Sequence, residues 1–288
     1  MSRIEMAIEK AARLRERGGN PPAGADGTPV PELAAEPAVV VTEAPLPMAP
    51  PVVPAENTLA PTHPFLVNIL EPHSQAAEEY RKLKSVLVKM TEGEPFKNAV
   101  MVTSSVPSEG KSLTALNLAV SLAQGLDHTV LLIDADLRRP SLHRYLDMEQ
   151  GPGLADILMG EAEISQAIVQ TGIGKLAVIR GGRHVDNPVE LFNSQKMKVL
   201  VDELKNRYPD RYLIFDTPPV LPFAESRALA NVVDGVLFVV MERLASQSEI
   251  KEAYDHVKGG VLGVVYNAAE DASSEEKYSY YKHYSGKS

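Results

Sequence analysis

The chain has no cysteine. That absence excludes disulfides, thiolate metal sites and cysteine nucleophiles, and it fits a reducing compartment. Long apolar runs are also missing. None approaches the roughly 20 residues that cross a bilayer, and the first residues carry no apolar core of a secretion signal. Basic residues are in deficit, 29 Lys and Arg against 38 Asp and Glu, for a net charge of −9. A chain of that sign lacks the basic surface that broad nucleic-acid binding requires, so nucleic acid is not an expected partner. Together these absences predict a soluble cytoplasmic protein, peripheral at the inner membrane only through a partner or a surface helix. What is present is ordinary for a globular protein: 44% apolar residues over 288 positions, enough for one large domain or two small ones.

Composition divides the chain into four parts. Residues 1–17 read as an amphipathic helix, with Ser2 and Glu5 at capping-box spacing and Met1, Ile4, Ile8 and Ala11 in one stripe. Such a helix docks on a protein partner or an anionic membrane, or is simply solvated. Residues 18–64 hold over half of the 22 prolines and no Phe, Trp or Tyr. A segment like this cannot bury enough apolar surface to offset its ordering entropy, so an extended, disordered linker is expected. Residues 65–267 form the expected globular domain. Residues 268–288 are polar and carry Tyr278, Tyr280, Tyr281 and Tyr284, four of the ten tyrosines in seven positions. Their charged neighbours give them no apolar partners along the chain, which predicts a flexible tail with exposed phenols.

Within the domain, residues 74–90 predict a helix capped by Ser74, with Glu78, Arg81 and Lys84 three apart on one side. From residue 98 strand and helix alternate. The expected strands are Ala99–Thr103, Thr129–Asp134, Leu176–Ile179, Tyr212–Asp216, Gly235–Val240 and Gly263–Tyr266. The expected helices are Ser112–Gln124, Leu154–Leu158, Ser194–Arg207, Ala224–Asn231 and Ser246–Lys258. Apolar strands without alternation, separated by helices, predict an α/β fold: a mostly parallel sheet covered on both faces. Ligands of such sheets bind beyond the carboxyl ends of the strands.

Three motifs fall at those ends. The first is Ser105-Val106-Pro107-Ser108-Glu109-Gly110-Lys111-Ser112, between an apolar strand and a helix, the layout of a P-loop NTPase. Its backbone N–H groups and the helix N-terminus suit a phosphate. Lys111 would reach the β- and γ-phosphates, and the Ser112 hydroxyl would hold Mg²⁺. Ser105 stands where the usual pattern opens with Gly. The second motif, Leu131-Leu132-Ile133-Asp134-Ala135-Asp136-Leu137-Arg138, ends a strand with two carboxylates. The third, Leu213-Ile214-Phe215-Asp216-Thr217-Pro218-Pro219, ends another with one. A lone strand-end Asp is usually a turn or cap residue. Three of them behind Gly110-Lys111-Ser112 are what Mg²⁺·ATP chemistry needs, as oxygen ligands and as a proton acceptor.

From about residue 70 onward the chain resembles the bacterial tyrosine kinases that control capsule and exopolysaccharide synthesis. The Ser104-x-x-Pro107-x-Glu109-Gly110-Lys111-Ser112 loop resembles their Walker A, Asp134-x-Asp136-x-Arg138 their Walker A′, and Asp216-Thr217-Pro218-Pro219 their Walker B. The tyrosine-rich tail resembles their autophosphorylation cluster. The N-terminal helix and Pro-rich linker resemble the exosortase-associated subgroup. The resemblance implies ATP and Mg²⁺ as cofactors, with catalytic roles for Lys111, Asp134, Asp136 and Asp216, and Asp134 activating the incoming tyrosine. It implies metal binding by Ser112, Asp134, Asp136 and Asp216. Nucleotide binding would involve Ser105, Pro107, Ser108, Glu109, Gly110, Lys111, Ser112, Leu113, Arg138 and Asn267, the last as an adenine contact. Glu78, Arg81 and Lys84 match a helix motif that joins subunits in a ring, with Lys84 in place of an Arg and so without its bidentate fork. The implied partners are a second copy, whose tail is phosphorylated in trans, a polysaccharide co-polymerase-type membrane activator, and a cognate tyrosine phosphatase. Two other readings compete. A positioning ATPase related to MinD and ParA would carry a lysine at the place of Val106. A nucleotide-binding scaffold would bind ATP without useful turnover.

Overall fold

The computed structural model describes residues 59–269 apart from Glu94 and Pro209. The expected helix over 1–17, most of the expected linker and the four tail tyrosines lie outside the described residues.

The domain is built on one seven-stranded sheet. In chain order the strands are β1 (Ala99–Ser104), β2 (Thr129–Asp134), β3 (Ile168–Gln170), β4 (Leu176–Ile179), β5 (Arg211–Asp216), β6 (Gly235–Met241) and β7 (Val261–Asn267). Their spatial order is β3-β4-β2-β5-β1-β6-β7. Every pairing is parallel except β3 with β4. β3 was not expected from the sequence. Its three residues sit on a sheet edge, too short for a periodic signal.

The helices are α1 (Val67–Leu70), α2 (Gln75–Thr91), α3 (Lys111–Ala123), α4 (Leu142–Tyr145), α5 (Leu154–Met159), α6 (Ile164–Ala167), α7 (Val189–Asn193), α8 (Gln195–Arg207), α9 (Ala224–Ala230) and α10 (Gln247–Val257). Three helices start where a serine accepts from the backbone two or three positions into the helix. Ser74 accepts from Ala77, Ser194 from Met197 and Ser246 from Glu249. Each cap satisfies one of the N–H groups that a helix start leaves open.

Both faces of the sheet are covered, which is why its strands read as continuous apolar runs. Along β1, Ala99 and Met101 enter one core with Leu131, Ile133, Leu213 and Phe238. Val100 and Val102 enter the other, with Leu116, Val120 and Leu122 of α3 and with Leu132 and Ile214. The expected linker boundary at Pro64 moves. The Leu59 N–H donates to the Thr171 carbonyl at 2.9 Å, and Thr62 donates to Asp147 at 2.9 Å. Leu66 is fully buried, and Asn68 and Asn117 of α3 hold each other's segments through a 2.9 Å side-chain bond to the Asn117 carbonyl. Residues 59–66 therefore pack onto the domain rather than hanging free.

Candidate active site

The loop after β1 is shaped by two left-handed residues. Ser108 has φ 70° and Gly110 has φ 87°. Alternating backbone of this kind turns successive N–H groups toward a common point, forming an anion-binding nest. Gly110 is also the N-cap of α3, without a side-chain cap and with no acidic residue in the first turn. The donors at that helix start thus remain available to an anion. A Cβ on Gly110 would overlap the Asn267 side-chain amide, so the position requires glycine for space as well as for φ.

Glu109, read from the sequence among the nucleotide-binding residues, turns its carboxylate inward. Fully buried, it accepts from Val106 N–H at 2.9 Å and from Met241 N–H at 3.3 Å. It braces the loop against β6. Asn267 sits at the end of β7 and donates to the Glu109 carbonyl at 2.9 Å. Asn267 therefore lies beside the loop, holding its backbone. The Ser105 hydroxyl is buried without a hydrogen-bond partner among the described residues.

Lys111 and Ser112 open α3. The Lys111 Nζ lies 3.5 Å from Asp136 Oδ2 and 3.3 Å from the Ser112 hydroxyl. Asp134 and Asp216 are register partners at the ends of the adjacent strands β2 and β5. Both are fully buried. The sheet therefore brings the strand-end residues Asp134, Asp136 and Asp216 together with Lys111 and Ser112 at the start of α3. Asp134 Oδ2 accepts from Ser141 N–H at 2.8 Å and Leu142 N–H at 3.0 Å. Neither oxygen of Asp216 has a hydrogen-bond partner among the described residues.

Electrostatics follow from that burial. Burial pushes the Asp134 carboxyl up to about 8, the Asp216 charge adds to the rise, and the Leu142 and Ser141 N–H groups oppose it. Burial lifts Asp216 to about 6 against the pull of Lys111 and of the nearby Ser112 hydroxyl, with the Asp136 charge adding to the rise. Burial alone would lower Lys111, but the charges of Asp216, Asp136 and Asp134 outweigh it and raise its pKa. The site is an over-acidic pocket around one cation.

The donor set suits a hard divalent ion: three carboxylates and one hydroxyl, all oxygen. The unpartnered Asp216 oxygens supply an acceptor pair waiting for a ligand. Among the described residues no three carboxylate or histidine side chains form a metal cage by themselves.

The Arg138 guanidinium, expected near the nucleotide, is engaged elsewhere. Its Nε lies 2.5 Å from the buried Glu225 carboxylate, its Nη1 donates to the Asp186 carbonyl at 2.9 Å, and it stacks over Phe223 at 5.1 Å. Of the proposed oligomer residues, Arg81 pairs with Glu78 and also donates to the Pro72 carbonyl. Lys84 lies on the same helix beside Val88 and His128. Sequence reasoning missed the braces behind Asp216. Thr103 and Ser226 both donate to the Pro218 carbonyl, at 2.9 and 2.6 Å, and Thr217 donates to the Val102 carbonyl at 3.0 Å. Hydroxyls beside a strand-end Pro-Pro pair were the available signal.

Comparison with known proteins agrees with this geometry. The AAA domain family matches residues 107–259. The tyrosine-protein kinase YwqD of Bacillus subtilis is 36% identical over 75% of this chain and 90% of its own length. The tyrosine-protein kinase etk of Escherichia coli is 32% identical over 73% of this chain, which spans 29% of that protein. Among solved structures, the chimerical protein CapA2B2 superposes with a TM-score of 0.67 at 27% identity, over 75% of this chain and 95% of that one. The kinase domain of E. coli ETK gives 0.66 at 28% identity, over 77% and 88%. MinD of Pyrococcus horikoshii complexed with Mg-ADP gives 0.51 at 18% identity, over 62% and 76%, a likeness of fold alone. With a P-loop, two carboxylate strand ends and a 36%-identical relative matched over 90% of its length, this chain belongs to the bacterial tyrosine-protein kinases.

Proposed function

We propose that the protein transfers the γ-phosphoryl group of ATP to tyrosines of a C-terminal tail, Tyr278, Tyr280, Tyr281 and Tyr284, presented by a second copy. The observation that carries the reading is Lys111 set among Asp134, Asp136 and Asp216 behind an anion-binding nest. Lys111 would bind the β- and γ-phosphates and neutralise charge as it develops. Ser112 and Asp216 would hold Mg²⁺, with Asp136 in support, and the ion would supply charge neutralisation on the phosphate oxygens. The incoming phenol is oriented by the chain. Asp134 would take its proton on Oδ1, which accepts only a long 3.3 Å bond from the Asp136 N–H, whereas Oδ2 is held by the Ser141 and Leu142 N–H groups. Burial raises the proton affinity of Asp134, and a bound cation that keeps it ionised would make it a competent base for that task. The phenolate oxygen attacks in line and ADP leaves. Pro107, Ser108, Gly110 and Leu113 contribute backbone, and Arg138 joins only by exchanging Glu225 for phosphate.

Glu78, Arg81 and Lys84 on α2 are the proposed contacts in a ring of copies. Phosphates accumulating on the tails, each adding about −1.5 to −2 charge, would loosen that ring by repulsion. The reading extends to control of exopolysaccharide synthesis, with a membrane activator and a tyrosine phosphatase as partners. Among the described residues no helix is long and apolar enough to cross a membrane.

Purified protein incubated with Mg²⁺·ATP and probed for phosphotyrosine tests the reading. Tail labelling that disappears in Lys111→Met supports it. ATP hydrolysis without labelling would instead indicate a positioning ATPase, and neither activity, with an activator segment supplied, a scaffold.

A further inference from the structure

The two edges of the sheet are not alike. β3 has only 3 residues, too short to offer a ladder to another segment. β7 has 7, and among the described residues it pairs with β6 alone. Long edge strands are usually blunted by charges or proline, because their open N–H and C=O groups pair readily with other strands. β7 has neither, reading Val-Leu-Gly-Val-Val-Tyr-Asn. The Asn267 carbonyl accepts from Glu242 N–H at 3.1 Å, so Asn267 turns its backbone toward β6. By alternation Tyr266 and Val264 turn theirs outward. Their side chains are open as well. Leu262 and Val265 pack against the core on one face. Val264 and Tyr266 stand on the other, opposite Phe238 and Val240 of β6, and are 57% and 58% exposed. Tyr254 of α10 lies edge-on to Phe238 at 6.1 Å and is itself exposed. An apolar, partly aromatic strip thus runs beside an open hydrogen-bonding edge.

The next residues of the chain carry a pattern that fits this edge. Ala268 follows β7 directly with φ 52°, left-handed backbone of the kind that turns a chain out of a strand. Further on the sequence runs Lys277-Tyr278-Ser279-Tyr280-Tyr281-Lys282-His283-Tyr284. At a period of two, Tyr278, Tyr280 and Tyr284 share one face with Lys282, while Lys277, Ser279, Tyr281 and His283 share the other. Tyrosine suits a half-buried strand. Residues 268–277 leave room for the chain to reverse and run antiparallel to β7. Tyr278 then falls opposite Tyr266 and Tyr280 opposite Val264, an aromatic pair and an aromatic–β-branched pair, both favourable between antiparallel neighbours. A tether of this kind holds the segment at an effective concentration in about the millimolar range, which favours it over the edge strand of a second copy.

We propose that the unphosphorylated tail pairs with β7 of its own chain as an added edge strand, holding Tyr278 and Tyr280 against Tyr266 and Val264 and so withholding them from phosphate transfer. This rests on the tail reading above for the role of the tyrosines and adds what restrains them. In the order β2-β5-β1-β6-β7 the edge stands four strands from Asp134, roughly 19 Å at the usual strand spacing. A docked tyrosine therefore lies out of reach of the Asp134 of its own chain, and its phenol packs on the sheet instead of entering a neighbour's site. A phosphate on Tyr278 or Tyr280 would bring about −1.5 to −2 charge onto the apolar strip, so a labelled tail does not return to it. The first transfer to each tail is thus the restrained one, and release accompanies it.

The chain has no cysteine, so an introduced pair is the only one that can be oxidised. Full-length Lys111→Met protein, confirmed by mass to carry no phosphate, is made with Val264→Cys and Tyr280→Cys. A second form carries Val264→Cys and Tyr281→Cys, one position along and on the opposite face of the tail. Within the monomer the first pair is expected to close about tenfold faster, since a disulfide needs facing Cβ atoms. Hydrogen exchange needs no cysteine. The Val264 and Tyr266 N–H groups of Lys111→Met protein are expected to exchange about tenfold slower than in the same protein with Tyr280→Pro, which breaks the added ladder. In the otherwise unaltered chain, Val264→Lys is expected to raise the initial rate of tail labelling about threefold or more, by enlarging the undocked fraction, at unchanged affinity for Mg²⁺·ADP. Equal oxidation of the two pairs, a disulfide formed only between molecules, exchange indifferent to Tyr280→Pro, or labelling no faster in Val264→Lys would each overturn the proposal. Absence of labelling in every form would instead overturn the kinase reading and leave the docked tail to stand on the disulfide and exchange results.

Discussion

Replacing Asp216 with Asn should make the nucleotide-free protein more stable, by an amount that grows with pH. The carboxylate is fully buried and neither oxygen is hydrogen-bonded among the described residues. Burial lifts its pKa to about 6, whereas an Asp in an unfolded chain titrates near 3.9. The native state therefore keeps a proton that the unfolded state has released. The associated stability is full below about pH 4 and is lost as pH rises through about 6. By linkage the wild type loses roughly 1.4 kcal/mol on this account between pH 5 and pH 8, and about 3 kcal/mol in all. Asn stays neutral throughout, and its unpartnered amide costs the same at both pH values, so that cost cancels in the comparison. At about 2–4 °C per kcal/mol for a domain of this size, the variant's advantage should widen by roughly 3–6 °C from pH 5 to pH 8. Relief of Asp134, whose pKa the Asp216 charge helps to raise, acts in the same direction. Scanning calorimetry in EDTA across that range is the assay. Melting curves of the two proteins that run parallel from pH 5 to pH 8 would refute the assignment of a buried, charged, unsatisfied Asp216. Mg²⁺·ADP should stabilise the wild type at pH 8 and leave the variant nearly unchanged.

Further perturbations separate the remaining parts. Lys111→Met should cut tail labelling by about a hundredfold or more, as expected for a lost charge clamp on the transferring group. Its nucleotide-free melting temperature should fall more at pH 8 than at pH 5, because three carboxylates lose their cation. Gly110→Ala should cost about 1–2 kcal/mol in urea titrations, from the left-handed φ and from overlap with Asn267. Adding Asn267→Ala should recover only the overlap part. Glu225→Ala should cost about 2 kcal/mol, since it strips the partner from Arg138 at a site where Glu225 is 1% exposed. Glu161→Ala, which breaks the half-exposed pair with Arg183, should cost less than about 1 kcal/mol in the same titration. The protein with all four tail tyrosines changed to Phe should incorporate no more phosphate than Lys111→Met, by mass spectrometry.

The sheet was legible because burial on two faces writes apolar runs without alternation, and its parallel strands were recovered to within a few residues. The serine starts of α2, α8 and α10 were legible because capping is local. β3 and the short helices α1, α4, α6 and α7 were not, since three to five residues carry no period. The site divides in the same way. Asp134, Asp136 and Asp216 stand at or just past strand ends, Lys111 and Ser112 open the helix after the β1 loop, and a parallel sheet must bring such ends together. Side-chain direction is another matter. Glu109 turns inward because Met241, 132 positions away, offers an N–H. Arg138 is held by Glu225, 87 positions away. The basic cavity beyond β4 joins Arg144 to Arg180 through the β2–β4 register, which no local pattern encodes.

The order of the strand ends is itself a chemical arrangement. Along one edge of the sheet come Asn267 of β7, the loop after β1, Asp216 of β5, Asp134 of β2 and Arg180 beyond β4. The sign of charge runs positive at Lys111, negative across the two buried carboxylates, and positive again at the arginines. Isolated, that pattern is costly, because the central carboxylates are desolvated and hold more protons than they would in water. A divalent ion at the centre removes the penalty and leaves cations on both sides. A nucleotide would then have its phosphates drawn to the Lys111 flank, with the acceptor hydroxyl of the proposed reaction entering beside Asp134. The energy that destabilises the empty site is thus the same energy that orders the reactants, and Asp216→Asn should dissipate both together.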